Sequence, residues 1–259
     1  MKNFTNILFT ELYKLKRVKL IWITIGLFLF MPFMMGLMLY IAIHPESAAN
    51  VGLFAMKAKM FGANDWSGYL NTIIQAGSGL GFFGSGFCFA YIFGREYTDK
   101  TMKDLLALPV SRNHIVVAKL IIATIWSLLL FIILIVFSIL IGKLMGISGS
   151  FEVIPHLIKQ YFLMSICIIL INTPIAFFAS VGRGILAPIG FCVITLIFSN
   201  LITTIGIGNY FPWAIPSLIG MEMDIPGLAV NSASVIILLI TSILGVIFTL
   251  RFWNHADHK

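Results

Sequence analysis

Long apolar runs alternate with short polar segments along the 259 residues of this chain. A bilayer is crossed by roughly 20 apolar residues in a helix, and six runs meet that length. They lie at about 20–42, 68–93, 118–142, 159–182, 184–205 and 229–250. The runs are continuous and lack the period-two alternation of a membrane barrel. We therefore predict an all-α integral membrane protein, with six transmembrane helices in a single domain over residues 1–259.

Composition agrees with this fold class. Hydrophobic residues make up 59% of the chain, charged residues 10%, and the mean hydropathy is +1.02. A soluble domain carries about a quarter charged residues. So few charges exclude an ordinary soluble globular domain.

The first 19 residues predict an amphipathic helix. Apolar residues recur there at three- and four-residue steps, while cations occupy other positions. The apolar set is Phe4, Ile7, Leu8, Leu12, Leu15 and Val18; the cations are Lys2, Lys14, Lys16, Arg17 and Lys19. This pattern favours a helix lying in the headgroup region. A simple basic topology signal before the first span is the alternative interpretation.

The distribution of lysine and arginine predicts the orientation. With six spans, both termini and the loop at 94–117 lie on one side, where 13 of the 17 lysines and arginines fall, against four on the other. Cytoplasmic loops carry the excess of cations. We therefore predict that both termini and the 94–117 loop are cytoplasmic.

The second span carries two rows of small residues at four-residue spacing. One row is Gly77, Gly81 and Ser85, and the other is Gly86, Ala90 and Gly94. Small residues let helix backbones approach closely. The rows predict either packing within the subunit or, alternatively, a transport pathway or subunit contact.

Proline and glycine mark further features. Pro32, Pro174 and Pro188 fall inside predicted spans and predict kinks. The fourth and fifth spans are joined by residues 182–184 alone, which predicts a tight hairpin. The segment 206–228 is too apolar for an exposed loop and too broken by proline to span, so we predict short interfacial or re-entrant helices anchored by Tyr210 and Trp213.

Several kinds of chemistry find no support in the sequence. No ionisable residue falls in the middle of a predicted span, which disfavours a proton-coupled carrier. No GxxxxGK[ST] phosphate loop, HExxH zinc helix or GxSxG elbow occurs. Cys88, Cys167 and Cys192 show no disulfide or metal-binding spacing. We therefore expect a non-catalytic chain that binds no metal and no cofactor. The polar residues within the spans are expected to form hydrogen bonds between helices; they are Gln75, Asn172, Ser199, Asn200, Thr203 and Thr204.

The loop after the second span is the longest polar interruption of the chain. Eight charged residues lie from Gly94 to Lys119, the start of the third span: Arg95, Glu96, Asp99, Lys100, Lys103, Asp104, Arg112 and Lys119. Pairs of opposite charge four residues apart, Glu96–Lys100 and Asp99–Lys103, favour a short helix within 96–108. Thr98 or Thr101 is placed to cap its start, Pro109 to end it, and Ser111 to cap the next helix. A solvated loop whose charges only set topology is the alternative.

The sequence GREYTDKTMKDLLALPVSRNHIVVAKL also resembles the first cytoplasmic loop of type-two ABC exporter permeases. The shared pattern is a Glu, a Thr, a leucine pair, Pro-x-Ser-Arg and a Lys entering the next span. The matching residues are Glu96, Thr101, Leu105, Leu106, Pro109, Ser111, Arg112 and Lys119. Many members have Gly before the Thr, where this chain has Lys100, and a more helical local turn is expected here.

The resemblance implies a function. In that family this loop forms a coupling helix that docks on a separate ATPase subunit, and two permease subunits enclose the path. It implies an ATPase-coupling set of Glu96, Thr98, Thr101, Met102, Leu105, Leu106, Pro109 and Arg112, in which residues 98–108 make the contact and Glu96 and Arg112 flank it. ATP would bind to the partner, and nucleic acid would play no part. The branch that exports bacitracin, lantibiotics and other amphipathic peptides across bacterial plasma membranes is the most similar.

Other functions remain open at this point. A self-sufficient channel or ion-coupled carrier would act without an ATPase, since backbone carbonyls can bind sodium. A membrane-anchored scaffold or sensor would tolerate polar substitution in its spans. An ABC permease for lipid, drug or sodium would share the coupling loop.

Overall fold

The computed structural model describes residues 2–16, 18–43, 65–107, 109–147, 151–221 and 230–255. Ten α-helices occur in these residues: α1 (Lys2–Lys16), α2 (Leu20–Ile43), α3 (Trp66–Thr98), α4 (Met102–Leu106), α5 (Arg112–Leu144), α6 (Ile154–Ile171), α7 (Thr173–Val181), α8 (Leu186–Thr204), α9 (Ile215–Met221) and α10 (Ser232–His255). Single 3₁₀ turns lie at Phe151–Val153 and Gly208–Tyr210. No β-strand is found in the described part of the chain.

Among the described residues, six helical segments are long and apolar enough to cross a membrane. They are α2, α3, α5, α6 together with α7, α8 and α10, which confirms the all-α fold with six spans. The central helix α3 packs against α2, α5, α6, α7, α8 and α9. Large apolar side chains are exposed along α2, α5, α8 and α10, as expected of surfaces that face lipid. Both α3 and α5 are longer than the predicted spans 68–93 and 118–142.

The fourth span is broken at Asn172. This residue ends α6 and precedes α7, whose second residue, Pro174, has no backbone N–H to continue the helix. The Asn172 side-chain amide donates to the Ser85 hydroxyl at 2.5 Å and to the Phe82 carbonyl at 3.3 Å. Gly245 of α10 lies so close to the break that an added Cβ would be 2.6 Å from the Pro174 nitrogen. The break predicted from Pro174 is therefore held by neighbouring helices.

The other two prolines do not break their spans. Helix α2 continues through Pro32. Pro188 is the third residue of α8, and the first N–H groups of a helix have no partner within it. The kink predicted at Pro188 is therefore wrong, because no intrahelical hydrogen bond is lost there.

The small residues of α3 are packed inside the chain. Gly77, Gly81, Ser85, Gly86 and Ala90 are all buried. A Cβ on Gly81 would lie 2.5 Å from the Phe131 ring, and one on Gly86 would lie 2.9 Å from the Cys192 sulfur. Their contacts are with other helices of the same chain.

The segment after α8 turns back into the bundle. Helix α9 packs against α3 and α6, and Ile215, Leu218 and Ile219 are buried. The Gln160 side-chain amide donates to the Ile219 carbonyl. The segment is broken into the 3₁₀ turn Gly208–Tyr210 and the short helix α9, and whether it is interfacial or re-entrant stays a prediction; 222–228 lies outside the described residues. Tyr210 is exposed, whereas Trp213 packs on Phe191 within the bundle.

Candidate coupling site

Five charged side chains meet where α1, α3 and α5 come together. We call Glu11, Lys14, Arg95, Glu96 and Lys119 the charged cluster. At its centre is Lys119, the eighth residue of α5 and fully buried. Its ammonium lies 3.0 Å from Glu11 Oε2 and 3.1 Å from Glu96 Oε1, and it donates to the Ile92 carbonyl at 3.1 Å. All three ammonium N–H donors are thus used.

The remaining members surround this centre. Lys14 lies 3.0 Å from Glu11 Oε1 and 3.1 Å from Glu96 Oε1, with about a third of its side chain exposed. Arg95 approaches Glu11 at 3.8 Å and Glu96 at 3.6 Å. Three cations therefore surround two carboxylates, and each carboxylate joins two or more helices. The cluster fastens α1 to the ends of α3 and α5.

The cluster also reaches the turn that leads to α4. The Thr101 hydroxyl donates to Glu96 Oε2 at 2.7 Å. Lys100 N–H donates to the Tyr97 carbonyl and Thr101 N–H to the Glu96 carbonyl, the paired bonds of a Schellman motif. Lys100 has φ +58°, the left-handed conformation that such a motif requires. Glu96 therefore holds the turn through both its backbone and its side chain.

The short helix predicted within 96–108 is interrupted by this turn in the structure. A left-handed residue ends an α-helix, so α3 stops at Thr98 and α4 is limited to Met102–Leu106. The expected more helical turn at Lys100 is wrong: the residue has the conformation that glycine adopts at least cost. Glu96 pairs with Lys14, Arg95 and Lys119, and no ion pair joins Glu96 to Lys100 or Asp99 to Lys103 among the described residues. The Ser111 cap is confirmed, since its hydroxyl accepts from His114 N–H at 3.4 Å.

The predicted coupling residues fall into two groups. Glu96, Met102 and Leu105 are buried, and Leu106 is half-buried. Arg112 is also half-buried, and its guanidinium donates to the carbonyls of Trp253 and Asn254 at the end of α10. The predicted residues that reach the surface are Thr98, Thr101 and Pro109. We call the exposed residues around α4 the docking face: Thr98, Asp99, Lys100, Thr101, Lys103, Asp104, Ala107, Pro109 and Ser111.

Sequence reasoning missed Glu11. It is 5% exposed despite lying in a segment taken as a simple amphipathic helix. One signal was available: Glu11 is the single acidic residue among the first 45. A lone carboxylate among five cations is a candidate for an internal pair.

The protonation states of Glu11 and Lys14 in α1 depend on the charged groups that surround them. Burial alone would raise the pKa of the Glu11 carboxyl, but the Lys119 and Lys14 ammonium groups outweigh it and hold that pKa below its ordinary value. Burial alone would lower the pKa of Lys14, but Glu11 and Glu96 outweigh it and raise that pKa above its ordinary value. Both groups are therefore charged throughout the neutral range.

We expect the attachment of α1 to be independent of pH between about 5 and 10. A lowered carboxyl pKa stabilises the folded state above the unfolded pKa of about 4.3, and the stabilisation is lost as pH falls further. A raised lysine pKa stabilises below about 10.4, and this contribution is lost as pH rises through the folded pKa. Amide hydrogen exchange of α1 across the pH range, corrected for intrinsic rates, measures this, with α10 as the internal reference. Loss of α1 protection between pH 6 and 8 would contradict it.

The fold is that of a membrane protein with six helices able to span the bilayer. The chain belongs to the ABC-2 transporter family: the family model described as "ABC-2 family transporter protein" matches residues 7–199, which include the whole charged cluster and α4. It is similar to the bacitracin transport permease protein BCRB of Bacillus licheniformis, with 28% identity over 169 residues, 65% of this chain and 81% of that protein. No solved structure matches the chain. The resemblance to type-two ABC permeases is thus confirmed, and the chain is the non-catalytic membrane subunit of an ABC transporter.

Proposed function

We propose that this chain is the permease subunit of an ATP-driven exporter that moves an amphipathic peptide or antibiotic out of the bacterial cell or its membrane. A separate ATPase subunit supplies the energy by docking on the docking face. Two permease subunits, identical or different, form the complex. The termini and the docking face lie in the cytoplasm, where lysine and arginine concentrate.

One observation carries the ATPase proposal: the exposed docking face is bonded to a buried charged cluster. Met102 and Leu105 are buried and anchor α4 to the bundle, while Lys103, Asp104 and Ala107 are exposed. Glu96 joins the turn before α4 to α1 and α5. A push on α4 is therefore received by three longer helices together, as a force from a hydrolysing partner requires.

We expect Ala107→Arg to release the ATPase while leaving the permease folded. Ala107 is exposed at the end of α4, so an arginine there costs little stability but obstructs a close-fitting partner. Co-purification of the ATPase from gently solubilised membranes measures the result, and we expect at least a tenfold loss.

The matched control is Ala233→Arg, which is exposed at the start of α10, far from α4 along the bundle. It should retain the ATPase fully. Full retention by Ala107→Arg would exclude docking at this face. Leu105→Asp is unsuitable for this test, because Leu105 is buried and its loss would disturb the fold.

The cargo proposal is supported by the similarity to a bacitracin transport permease. It is tested by ATP-dependent uptake into inverted vesicles that contain the permease and its ATPase. A panel of bacitracin, a lantibiotic, a lipid and a hydrophobic drug separates the cargo classes. Uptake of the lipid or the drug without either peptide would exclude the peptide assignment.

A further inference from the structure

The end of α10 lies against the start of α5, directly beside the docking face. Arg112, the first residue of α5, follows Ser111 of the docking face. Its Nη1 donates to the carbonyl of Trp253 at 3.0 Å and to that of Asn254 at 3.2 Å. The Asn254 side-chain amide donates to Asn113 Oδ1 at 2.6 Å. Three hydrogen bonds therefore join the first turn of α5 to the last turn of α10.

The electrostatics of the two helix ends favour this contact. A cation is disfavoured at the N-terminus of its own helix, where the macrodipole is positive, and favoured at the C-terminus of another, where it is negative. The last carbonyls of α10 have no partner within that helix, and Arg112 donates to two of them. The half-buried Arg112 is therefore placed to hold two helix ends of the permease together.

Trp253 continues the connection into the bundle. Its side chain is fully buried. The indole N–H donates to the Ser180 hydroxyl oxygen of α7 at 2.9 Å, and the ring packs edge-on against Phe93 of α3 with centroids 6.4 Å apart. The Ser180 hydroxyl donates to the Ala176 carbonyl, one turn earlier in α7. The residue whose carbonyl Arg112 holds is therefore also bonded to α7.

Helices α7 and α10 are joined along the length of α7. At the first residue of α7, the Thr173 hydroxyl donates to the Ser242 carbonyl at 2.9 Å. In its middle, the Phe177 ring centroid lies 5.7 Å from that of Phe248 and 6.3 Å from that of Phe252. These contacts and the bond from Trp253 make the two helices one packed unit.

We call α7 and residues 242–255 of α10 the paired arm. One end of the arm is the break at Asn172, where α6 and α7 are separate helices. Pro174 has no N–H to bond the Leu170 carbonyl, which accepts instead from the Thr173 hydroxyl at 2.9 Å. Helices bend at such proline positions. The arm is thus fastened beside the docking face at one end and bounded by a bendable point at the other.

We propose that Arg112 is a positioning residue through which motion of the docking face reaches the paired arm, so that α7 turns about the break at Asn172. Arg112 acts through the carbonyls of α10 and does not contact the ATPase. The charged cluster joins α1, α3 and α5, whereas Arg112 adds α7 and α10 to the helices that a push on the docking face reaches. The inference rests on the proposed function for the partner that moves the docking face.

Amide hydrogen exchange in the complex of permease and ATPase, purified from native membranes, tests this link. The probe is a non-hydrolysable ATP analogue, which changes the state of the ATPase without any transport step. In the wild-type complex we expect the analogue to change the exchange rate about threefold in α4 and in 176–184. Residues 154–168 of α6, before the break, should be unchanged. In Arg112→Gln we expect the change in α4 to persist and that in 176–184 to fall below about 1.5-fold.

Further variants separate a link from a contact that only adds stability. Arg112→Lys keeps a cation that can donate to a carbonyl, and we expect it to restore about half of the change in 176–184. Arg251→Gln removes an exposed cation from the same end of α10 and should behave as the wild type. A short bismaleimide cross-link between Asn113→Cys and Asn254→Cys should restore the change in Arg112→Gln, because these exposed side chains are in contact. A contact that only adds stability would alter exchange in the permease alone and leave the effect of the analogue intact.

The possible results distinguish this link from the proposed function. An effect of the analogue on 176–184 that persists in Arg112→Gln would overturn the inference alone, as would its absence from a wild-type complex in which α4 responds. Loss of ATPase co-purification in Arg112→Gln but not in Arg251→Gln would make Arg112 a contact of the ATPase and overturn the inference as well. Absence of any effect on α4 in the wild-type complex would contradict the proposed docking face itself, on which the inference rests.

Discussion

Replacing Lys119 with methionine is expected to lower the free energy of unfolding by about 3–5 kcal/mol. The substitution keeps the length and apolar stem of the side chain but removes the ammonium between Glu11 and Glu96. Two buried carboxylates then face each other with Lys14 and Arg95 as their remaining cations. Equilibrium unfolding in mixed micelles measures the loss.

Lys143→Met on the same helix is the matched control. Lys143 is exposed in the last turn of α5, so its replacement should change stability by less than about 0.5 kcal/mol. A loss below 1 kcal/mol for Lys119→Met would show that the cluster does not hold α1 in place. The double variant Lys119→Met with Glu11→Gln removes one charge of each sign, and we expect it to be more stable than Lys119→Met alone.

The large loss of stability expected for Lys119→Met follows from the physical role of the charged cluster. A buried ion network adds little net stability over an apolar core of the same shape, but it strongly penalises separation of its members. Glu11 comes from α1, Glu96 from α3 and Lys119 from α5. The network therefore favours movement of these helices as one body. Such rigidity is what the proposed docking of an ATPase at α4 requires.

The number and position of the spans could be predicted because the bilayer fixes the length of an apolar helix. The last residue of α3 and the first residue of α5 could not be predicted in this way. Arg95, Glu96 and Lys119 read as loop or boundary residues by hydropathy, yet they lie in continuous helices. Their charges pair with Glu11 and Lys14 of α1, which lie 82 residues (Lys14–Glu96) to 108 residues (Glu11–Lys119) earlier in the chain. Local sequence carries no record of that pairing.

The structure of residues 96–105 could also be predicted only in part from the sequence. The i,i+4 charge pairs predicted a helix through 100, whereas Lys100 is left-handed and ends α3. Thr101 and Glu96 contact each other through that turn, which no helical spacing anticipates. Met102 and Leu105 were predicted to belong to the ATPase-coupling set, but the sequence did not show that both side chains are buried. The packing of Trp213 on Phe191 depends on the path of the segment after α8, which was predicted only in outline.

We expect Gly94→Val to be the second most damaging substitution, with a loss of about 3 kcal/mol. An added Cβ on Gly94 would lie 2.7 Å from both the carbonyl carbon and the oxygen of Gly184. Gly184 belongs to the tight turn between α7 and α8, in which Arg183 has φ +47°. Backbone atoms in such a turn cannot rotate away as a side chain does, so α3 and the turn must separate. Thermal unfolding in detergent measures the loss of stability.

Gly79→Val on the same helix is the control, because nothing lies within 4 Å of its added Cβ. It should leave the unfolding temperature unchanged or slightly higher, since valine replaces a flexible glycine. Equal unfolding temperatures for the two variants would show that the Gly94–Gly184 contact is not required. Gly94 directly precedes Arg95 and Glu96, so its separation from the turn should also displace the charged cluster. We therefore expect Gly94→Val to weaken ATPase co-purification as well, whereas Gly79→Val should retain it.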